Sequence, residues 1–389
     1  MNADPKHLAP AARIAQRMDE IAPFHVVEIF NRVGELERAG HSVINLCIGE
    51  PDFPTPQPML DAAAKALQVG RFPYTASLGI PELREAIAQF YWARYQVKIP
   101  PERIAVTAGA SAALLLTMGV LINPGDQVLL TDPGYPCNHP FIRLVGGKPV
   151  GVPVDSESGY QLNAALIEKH WTPHTVAALV ASPANPTGTM IHADEMAELI
   201  GAVHRRRGRL IVDEIYLALS YGKQATTALS LSDDVFIINS FSKYFQMTGW
   251  RLGWIVAPSA YVKAIERLAQ NLFIANSAIA QQAALAGFEP GTLALLESRR
   301  KEFQARRDYL IPALKELGFG IPVMPEGAFY IYADCSNFTD DSYRFAWDLL
   351  EKAQVAVTPV LILDCTTHNA TCASVTVPRC SNYVRQWLG

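Results

Sequence analysis

The 389-residue chain carries 37 acidic and 33 basic side chains, a formal net charge of −4 at pH 7, and is 50% hydrophobic. That length and apolar content suffice for a large buried core and predict two domains. The acidic balance excludes the basic face of a nucleic-acid binder, and the lack of any 18-residue apolar run free of charge excludes a membrane-spanning helix.

The first twenty residues, MNADPKHLAPAARIAQRMDE, hold no apolar signal core, so a cytoplasmic location is expected. Six cysteines are present, half of them in the last 25 residues, with no CxxC pair. Neither a disulfide framework nor a metal site is expected from that spacing. Residues 1–48 read as a largely helical N-terminal segment packing on a small domain, 49–290 as a large domain, and 291–389 as a small C-terminal one.

Between residues 100 and 260, short β-rich runs alternate with helical stretches. The runs are RIAVTAG (103–109), QVLLTDP (127–133), TVAALVASP (175–183), RLIVDE (209–214), VFIINS (235–240) and LGWIVAP (252–258). Most are apolar throughout, the pattern of strands covered on both faces. The stretch HADEMAELIGAVHRRRG (192–208) is one of the helices between them. Together they predict an α/β, doubly wound, mainly parallel sheet. A long helix over 294–318, a strand in GAFYIYAD (327–334) and a helix over 340–352 then build a smaller α+β domain.

Ligands of such sheets lie at the carboxyl ends of the strands, and four of those ends are polar. Gly109-Ala110-Ser111 opens an apolar helix after the first run. Asn185 follows the third run in SPANPTG, Asp213 ends the fourth, and Ser240, Ser242 and Lys243 follow the fifth. An isolated lysine is usually a surface group, but this one has unusual company. Ser240 and Ser242 offer hydroxyls, Arg251 a guanidinium fork suited to a phosphate dianion, and the helix start offers backbone N–H donors. An amine shielded from water has a lowered pKa and attacks carbonyls.

A phosphate cup with a reactive amine at its rim matches pyridoxal 5'-phosphate, which also needs an acid beside its ring nitrogen. Asp213 suits that role, Asn185 and Tyr216 suit the phenolic oxygen, and Tyr135 in DPGYP suits stacking on the ring.

The stretches NLCIGEPDFPTP (45–56), YTASLGIPELREAIAQFY (74–91), ASPANPTG (181–188), DEIY (213–216) and SFSKYFQMTGWRLGW (240–254) resemble those of the class I/II aminotransferases, the fold-type I pyridoxal phosphate enzymes, in the family's order. The resemblance implies the following roles. Lys243 is the Schiff-base lysine and the base of the proton shift, Asp213 pairs with the pyridine nitrogen, and Asn185 and Tyr216 pair with the phenolic oxygen. Tyr135 stacks on the ring, while Ser240, Ser242, Arg251 and the amides of Ala110 and Ser111 hold the phosphate. It also implies a homodimer with shared active sites, in which Tyr74 reaches the neighbouring subunit's cofactor phosphate. Gly49 then lies over the substrate's carboxylate side, and Asn185 also binds the substrate.

The implied reaction moves an amino group from an L-amino acid to a 2-oxo acid such as 2-oxoglutarate or pyruvate. Ser111 is neutral where some members carry a cation for acidic substrates, and NLFIANSAIAQQ (271–282) holds no arginine; a neutral or hydrophobic donor is expected. A C–S lyase or other eliminating enzyme of the same fold uses the same cofactor residues, and a non-catalytic cofactor-binding or regulatory protein retains the pocket. These alternatives stay open on sequence alone.

The family continues from VAVTP into a Gly- and Phe-rich loop, an arginine before a small strand, and a final helix. That arginine binds the substrate α-carboxylate. Here VAVTP (355–359) is followed by VLILDCTTHNATCASVTVPRCSNYVRQWLG, which departs from the pattern. Arg379 lies nearest the expected spacing and Arg385 is the alternative. Either a divergent tail or a change of reading frame accounts for the departure.

Overall fold

A computed structural model describes residues 13–21, 25–222, 225–359 and 372–376. The elements begin with α1 (His25–Arg38), β1 (Ile44–Asn45), α2 (Gln57–Val69), α3 (Pro81–Tyr95), β2 (Ile104–Thr107) and α4 (Gly109–Leu121). They continue with β3 (Gln127–Asp132), α5 (Asn138–Leu144), β4 (Lys148–Pro153), α6 (Ala164–His170), β5 (Thr175–Ala181) and α7 (Ala193–Arg205). Next come β6 (Arg209–Asp213), β7 (Val235–Ser240), β8 (Gly253–Val256), α8 (Ser259–Leu272), α9 (Ala278–Leu285) and α10 (Pro290–Glu316). The described chain closes with β9 (Tyr330–Asp334), α11 (Ser342–Ala353), β10 (Val355–Ala356), β11 (Thr358–Pro359) and β12 (Cys372–Thr376).

The apolar runs form strands because successive side chains leave opposite faces of a strand and each face here meets a core. In β6, Leu210 and Val212 enter one core while Ile211 enters the other. In β7, Val235 and Ile237 divide from Phe236 and Ile238 in the same way. The helices that cover these faces differ accordingly. On α7, Met196, Leu199, Ile200 and Val203 form one buried stripe, the spacing of an amphipathic helix with a solvent face. The N-terminus of α7 is closed by Glu195, whose carboxylate accepts from the His192 N–H at 3.1 Å. By contrast, α4 buries Ala112, Ala113, Leu114, Leu116 and Met118, so it is apolar nearly all round.

The large sheet has the order β2-β8-β7-β6-β5-β3-β4. Strands β4, β3, β5, β6 and β7 run parallel, and β8 runs antiparallel between β7 and β2. That single reversal brings the start of β8 to the same edge as the ends of β2, β3, β5, β6 and β7. Strand β4 is not among the apolar runs of the sequence. It lies at the sheet's edge with Pro149 and Gly151 inside it, where an unpaired side tolerates residues that a central strand rejects.

A smaller antiparallel sheet has the order β11-β12-β9, and α11 packs on it. Strand β1 pairs in parallel with β10, and α1 lies against β10 and β11. Arg32 on α1 grips both carboxylate oxygens of Glu351 on α11. The fold is therefore the fold-type I aminotransferase architecture expected above, with a large mixed sheet and a smaller domain.

Candidate active site

The site forms where β2, β5, β6 and β7 end and β8 begins. Register fixes its outline: Ser240 pairs with Gly253, Thr107 pairs with Gly253 from the other side, and Asp213 pairs with Ala181 and Ile238. Residues distant in sequence are thereby held by ladder hydrogen bonds rather than by loops.

Gly109 opens α4 with φ +78°, and no side chain caps that helix. Its first amides are thus unpaired donors with the positive end of the helix dipole behind them. A Cβ at Gly109 would lie 2.7 Å from Nη2 of Arg251. A Cβ at Gly253 would lie 2.8–2.9 Å from the Gly109 and Ala110 backbone. The two glycines therefore let the guanidinium and the helix start converge on one spot. Arg251 has φ +54° and its Nη1 donates to the Thr248 carbonyl at 3.1 Å. Ser240 and Ser242 are buried. The Ser240 hydroxyl donates to the Leu252 carbonyl at 3.1 Å and accepts from the Ser242 N–H at 3.0 Å, which shapes the turn into Lys243.

Lys243 donates from Nζ to the Gly49 carbonyl and lies 5.8 Å from the ring centres of both Tyr216 and Phe329. Burial pulls its pKa down to about 8, with Arg251 acting the same way and Glu50 and Asp213 opposing. Burial raises Asp213 to about 6, against the Ile215 N–H that donates to Oδ1 at 3.0 Å and against Lys243. The two groups thus feel each other, and each is held near the pH at which its proton can move. Burial also raises Tyr216 and Tyr135, so both are neutral phenols, and the Tyr135 hydroxyl shares a hydrogen bond with Cys137.

Asn185 and Tyr216 meet through a residue that the sequence reading passed over. Tyr330, on β9 of the smaller sheet, accepts from Asn185 Nδ2 at 3.3 Å, and its hydroxyl lies 2.5 Å from that of Tyr216. Gly49 abuts the same hydroxyl, since a Cβ there would collide with it. The only sequence signal for Tyr330 was a phenol tip in a strand that also holds Tyr332, and a strand-core reading accounts for both.

A second overlooked device holds the Gly49 segment. Arg306 on α10 gives Nη1 to both oxygens of Asp52 at 3.0 Å and lies over Phe53 and Phe303 at 5.0 and 5.6 Å. Arg299 donates to the Pro54 carbonyl at 2.7 Å and to the Gln246 side chain. The long helix thus clamps the strap over 49–56 against the loop that carries Lys243.

The structure therefore brings together Gly49, Ala110, Ser111, Asn185, Asp213, Tyr216, Ser240, Ser242, Lys243 and Arg251, with Tyr135 coupled electrostatically to Tyr216. Tyr74 stands apart, 83% exposed between α2 and α3. Arg379 and Arg385 lie outside the described residues. Among the described residues, no cluster of metal ligands exists and no helix is long and apolar enough to cross a membrane.

The residues present fit pyridoxal phosphate: an uncapped helix start beside an arginine for the dianion, an acid that carries charge where a ring nitrogen is protonated, and an amine of lowered basicity. Comparison with known proteins agrees. The family described as aminotransferase class I and II matches residues 41–384. Valine–pyruvate aminotransferase of Mycobacterium tuberculosis is 35% identical over 90% of this chain and 91% of its own. A probable aspartate/prephenate aminotransferase of Aquifex aeolicus is 36% identical over 89% and 90%. Among solved structures, an aminotransferase from Mycobacterium tuberculosis superposes with a TM-score of 0.92 at 33% identity, covering 97% of each chain. Aspartate aminotransferase from Thermus thermophilus with maleate gives 0.89 at 31%, covering 97% and 98%. The chain belongs to the class I and II aminotransferases and is a transaminase that uses pyridoxal phosphate.

Proposed function

We propose that this transaminase takes its amino group from a neutral or hydrophobic L-amino acid and passes it to a small 2-oxo acid such as 2-oxoglutarate or pyruvate. The observation that carries this reading is that neither position 111 nor the segment 271–282 holds a cation. Ser111 supplies only a hydroxyl on the first turn of α4. In the segment 271–282, two amides are engaged by the fold: Asn276 donates to the Val106 carbonyl at 2.9 Å, and Gln281 accepts from the Ile80 N–H at 2.8 Å. The name of the valine–pyruvate relative supports a neutral donor, whereas those of the aspartate relatives point the other way.

The cofactor, when bound, supplies an electron sink for the bond made labile at the substrate's Cα. The protein residues do the rest. Asp213 carries the negative charge that keeps the ring nitrogen protonated, which its enclosure makes effective. Ala110, Ser111, Ser240, Ser242 and Arg251 anchor the phosphate, and Tyr135 covers the ring. Asn185 and Tyr216 donate toward the phenolic oxygen. Lys243, with its ammonium poorly solvated, is uncharged in an appreciable fraction near pH 8 and moves the proton at Cα. Gly49 leaves room on the carboxylate side, and the residue binding that carboxylate is Arg379 in this reading.

A homodimer accompanies the proposal. Gln281 also donates to Thr75 at 3.2 Å, which fixes the loop that exposes Tyr74 and Phe72; such a loop suits insertion into a second copy's phosphate cup.

The test is an absorbance spectrum of the purified, cofactor-loaded protein after each of a panel of amino acids is added without any 2-oxo acid. Valine, alanine or leucine is expected to convert the cofactor to its amino form faster than aspartate or glutamate. Faster conversion by aspartate overturns the substrate assignment. The variant Lys243→Ala should convert with none of them.

A further inference from the structure

We propose that Tyr330 is a positioning residue for the cofactor's phenolic oxygen, acting chiefly through Tyr216, with Asn185 behind it. This rests on the assignment of those two side chains as donors to that oxygen.

A count of protons carries the argument. The Asn185 amide has two hydrogens, and each tyrosine hydroxyl has one. One Asn185 hydrogen goes to Tyr330 Oη at 3.3 Å. The two hydroxyls lie 2.5 Å apart, so one of them donates to the other. If Tyr216 gave its proton to Tyr330, it would have none left for the cofactor, and Tyr330 would own an unassigned one. With the proton running from Tyr330 to Tyr216, every hydrogen has one destination. Asn185 serves Tyr330, Tyr330 serves Tyr216, and the second amide hydrogen and the Tyr216 hydroxyl both point onward.

Packing holds the two hydroxyls in contact. Tyr330 is 5% exposed, so water does not compete for its hydroxyl. The Tyr216 ring stands edge-on to Tyr330 and Phe329 at 5.4 and 5.5 Å, which fixes the axis along which the hydroxyls meet. The bare Gly49 makes the space, because a Cβ there would occupy the position of the Tyr330 hydroxyl. A hydroxyl that already accepts a hydrogen bond is a stronger donor, since chained hydrogen bonds polarise one another. Tyr330 comes from β9 of the smaller sheet, whereas Asn185 and Tyr216 follow β5 and β6 of the large one. Docking of the smaller domain is thereby coupled to the electronic state of the cofactor.

The experiment compares Tyr330→Phe, Tyr216→Phe and the double variant as cofactor-loaded proteins. The reading is the pH midpoint of the cofactor's visible absorbance change, with the thermal midpoint of each cofactor-free variant recorded beside it. Loss of a donor to an anionic oxygen makes that oxygen more basic, so Tyr216→Phe should raise the midpoint. Tyr330→Phe should raise it by a smaller amount, about half a pH unit, and by less than half of that in the Tyr216→Phe background. An unchanged midpoint with a lowered thermal midpoint makes Tyr330 purely structural and overturns the proposal. A full additional shift in the double variant means that Tyr330 acts independently of Tyr216, which also overturns it. An unchanged midpoint in Tyr216→Phe itself removes the underlying assignment instead, so the two failures are distinguishable.

Discussion

Gly109→Ala tests the phosphate cup most directly, because the structure separates its two costs. The first is in the backbone: φ is +78°, a left-handed conformation that costs an L-residue roughly 1–2 kcal/mol. The second is in the site: the added methyl would lie 2.7 Å from Arg251 Nη2 and 3.1 Å from Cζ, so the guanidinium must move. A hydrogen bond to a charged group is worth about 1.5–3 kcal/mol, which is on the order of a 10- to 100-fold loss of cofactor affinity. Gly125 provides the control. Its φ is +92° and a Cβ there meets nothing within 4 Å, so Gly125→Ala carries the backbone cost alone. Urea unfolding of the cofactor-free proteins should show both variants destabilised by about 1–2 kcal/mol. Titration with pyridoxal phosphate should show weakened binding for Gly109→Ala only. If Gly109→Ala binds the cofactor as tightly as the wild type, Arg251 and the start of α4 do not hold the phosphate.

Glu214 offers a pH test. It is buried, accepts from Thr227 Oγ1 at 2.9 and 2.8 Å and from the Ala228 N–H at 2.8 Å, and burial raises its pKa from 4.5 to about 8. Between those values the folded state holds a proton that the unfolded chain has released, so this group lowers stability as pH rises from 4.5 to about 8. Glu214→Gln cannot titrate and should gain on the wild type by on the order of 1–3 kcal/mol at pH 8 relative to pH 5, read by urea unfolding of cofactor-free protein; a constant difference at the two pH values contradicts the reading. Arg306→Ala removes the partner of a water-accessible Asp52 carboxylate together with the stacking on Phe53 and Phe303 and should cost about 1–2 kcal/mol, with Arg306→Lys recovering the charge but not the ring contacts. Unfolding midpoints unchanged in both would show the clamp to be idle.

The tail yields a genetic prediction. Read one nucleotide earlier, with codons chosen from those that encode the present residues, 360–364 spell Gly-Leu-Asp-Phe-Gly and 372–376 spell Val-Arg-Ile-Ser-Tyr. Those are a Gly- and Phe-rich loop and an arginine at the position of β12. A change of frame after Pro359 would thus restore the loop and replace Arg379 by an arginine at β12 as the carboxylate ligand; sequencing the gene at its source decides between the two. The present frame found intact there would leave a divergent tail instead.

Local chain properties were legible without the structure. Burial on both faces makes a strand continuously apolar, so the runs ending at Asp213 and Ser240 announced a covered sheet. Polar residues at such ends are costly unless used, which made Asn185, Asp213 and Lys243 stand out, and the resemblance to the aminotransferases added Arg251 at a matching spacing. Strand order was not legible, because the antiparallel insertion of β8 depends on which ladder its backbone joins, and side-chain alternation is the same in either direction. Strand β4 escaped because an edge relaxes the composition that marks a central strand. Tyr330 and Arg306 escaped for a different reason. Their meaning lies in partners 145 and 254 residues away, and a tyrosine in a strand or an arginine on a helix reads the same whether or not its tip finds one. Chain-local chemistry and the family's motifs pointed to the cofactor and to its candidate anchors. Only packing of the smaller sheet and the long helix against the large one decided which residues hold those anchors in place.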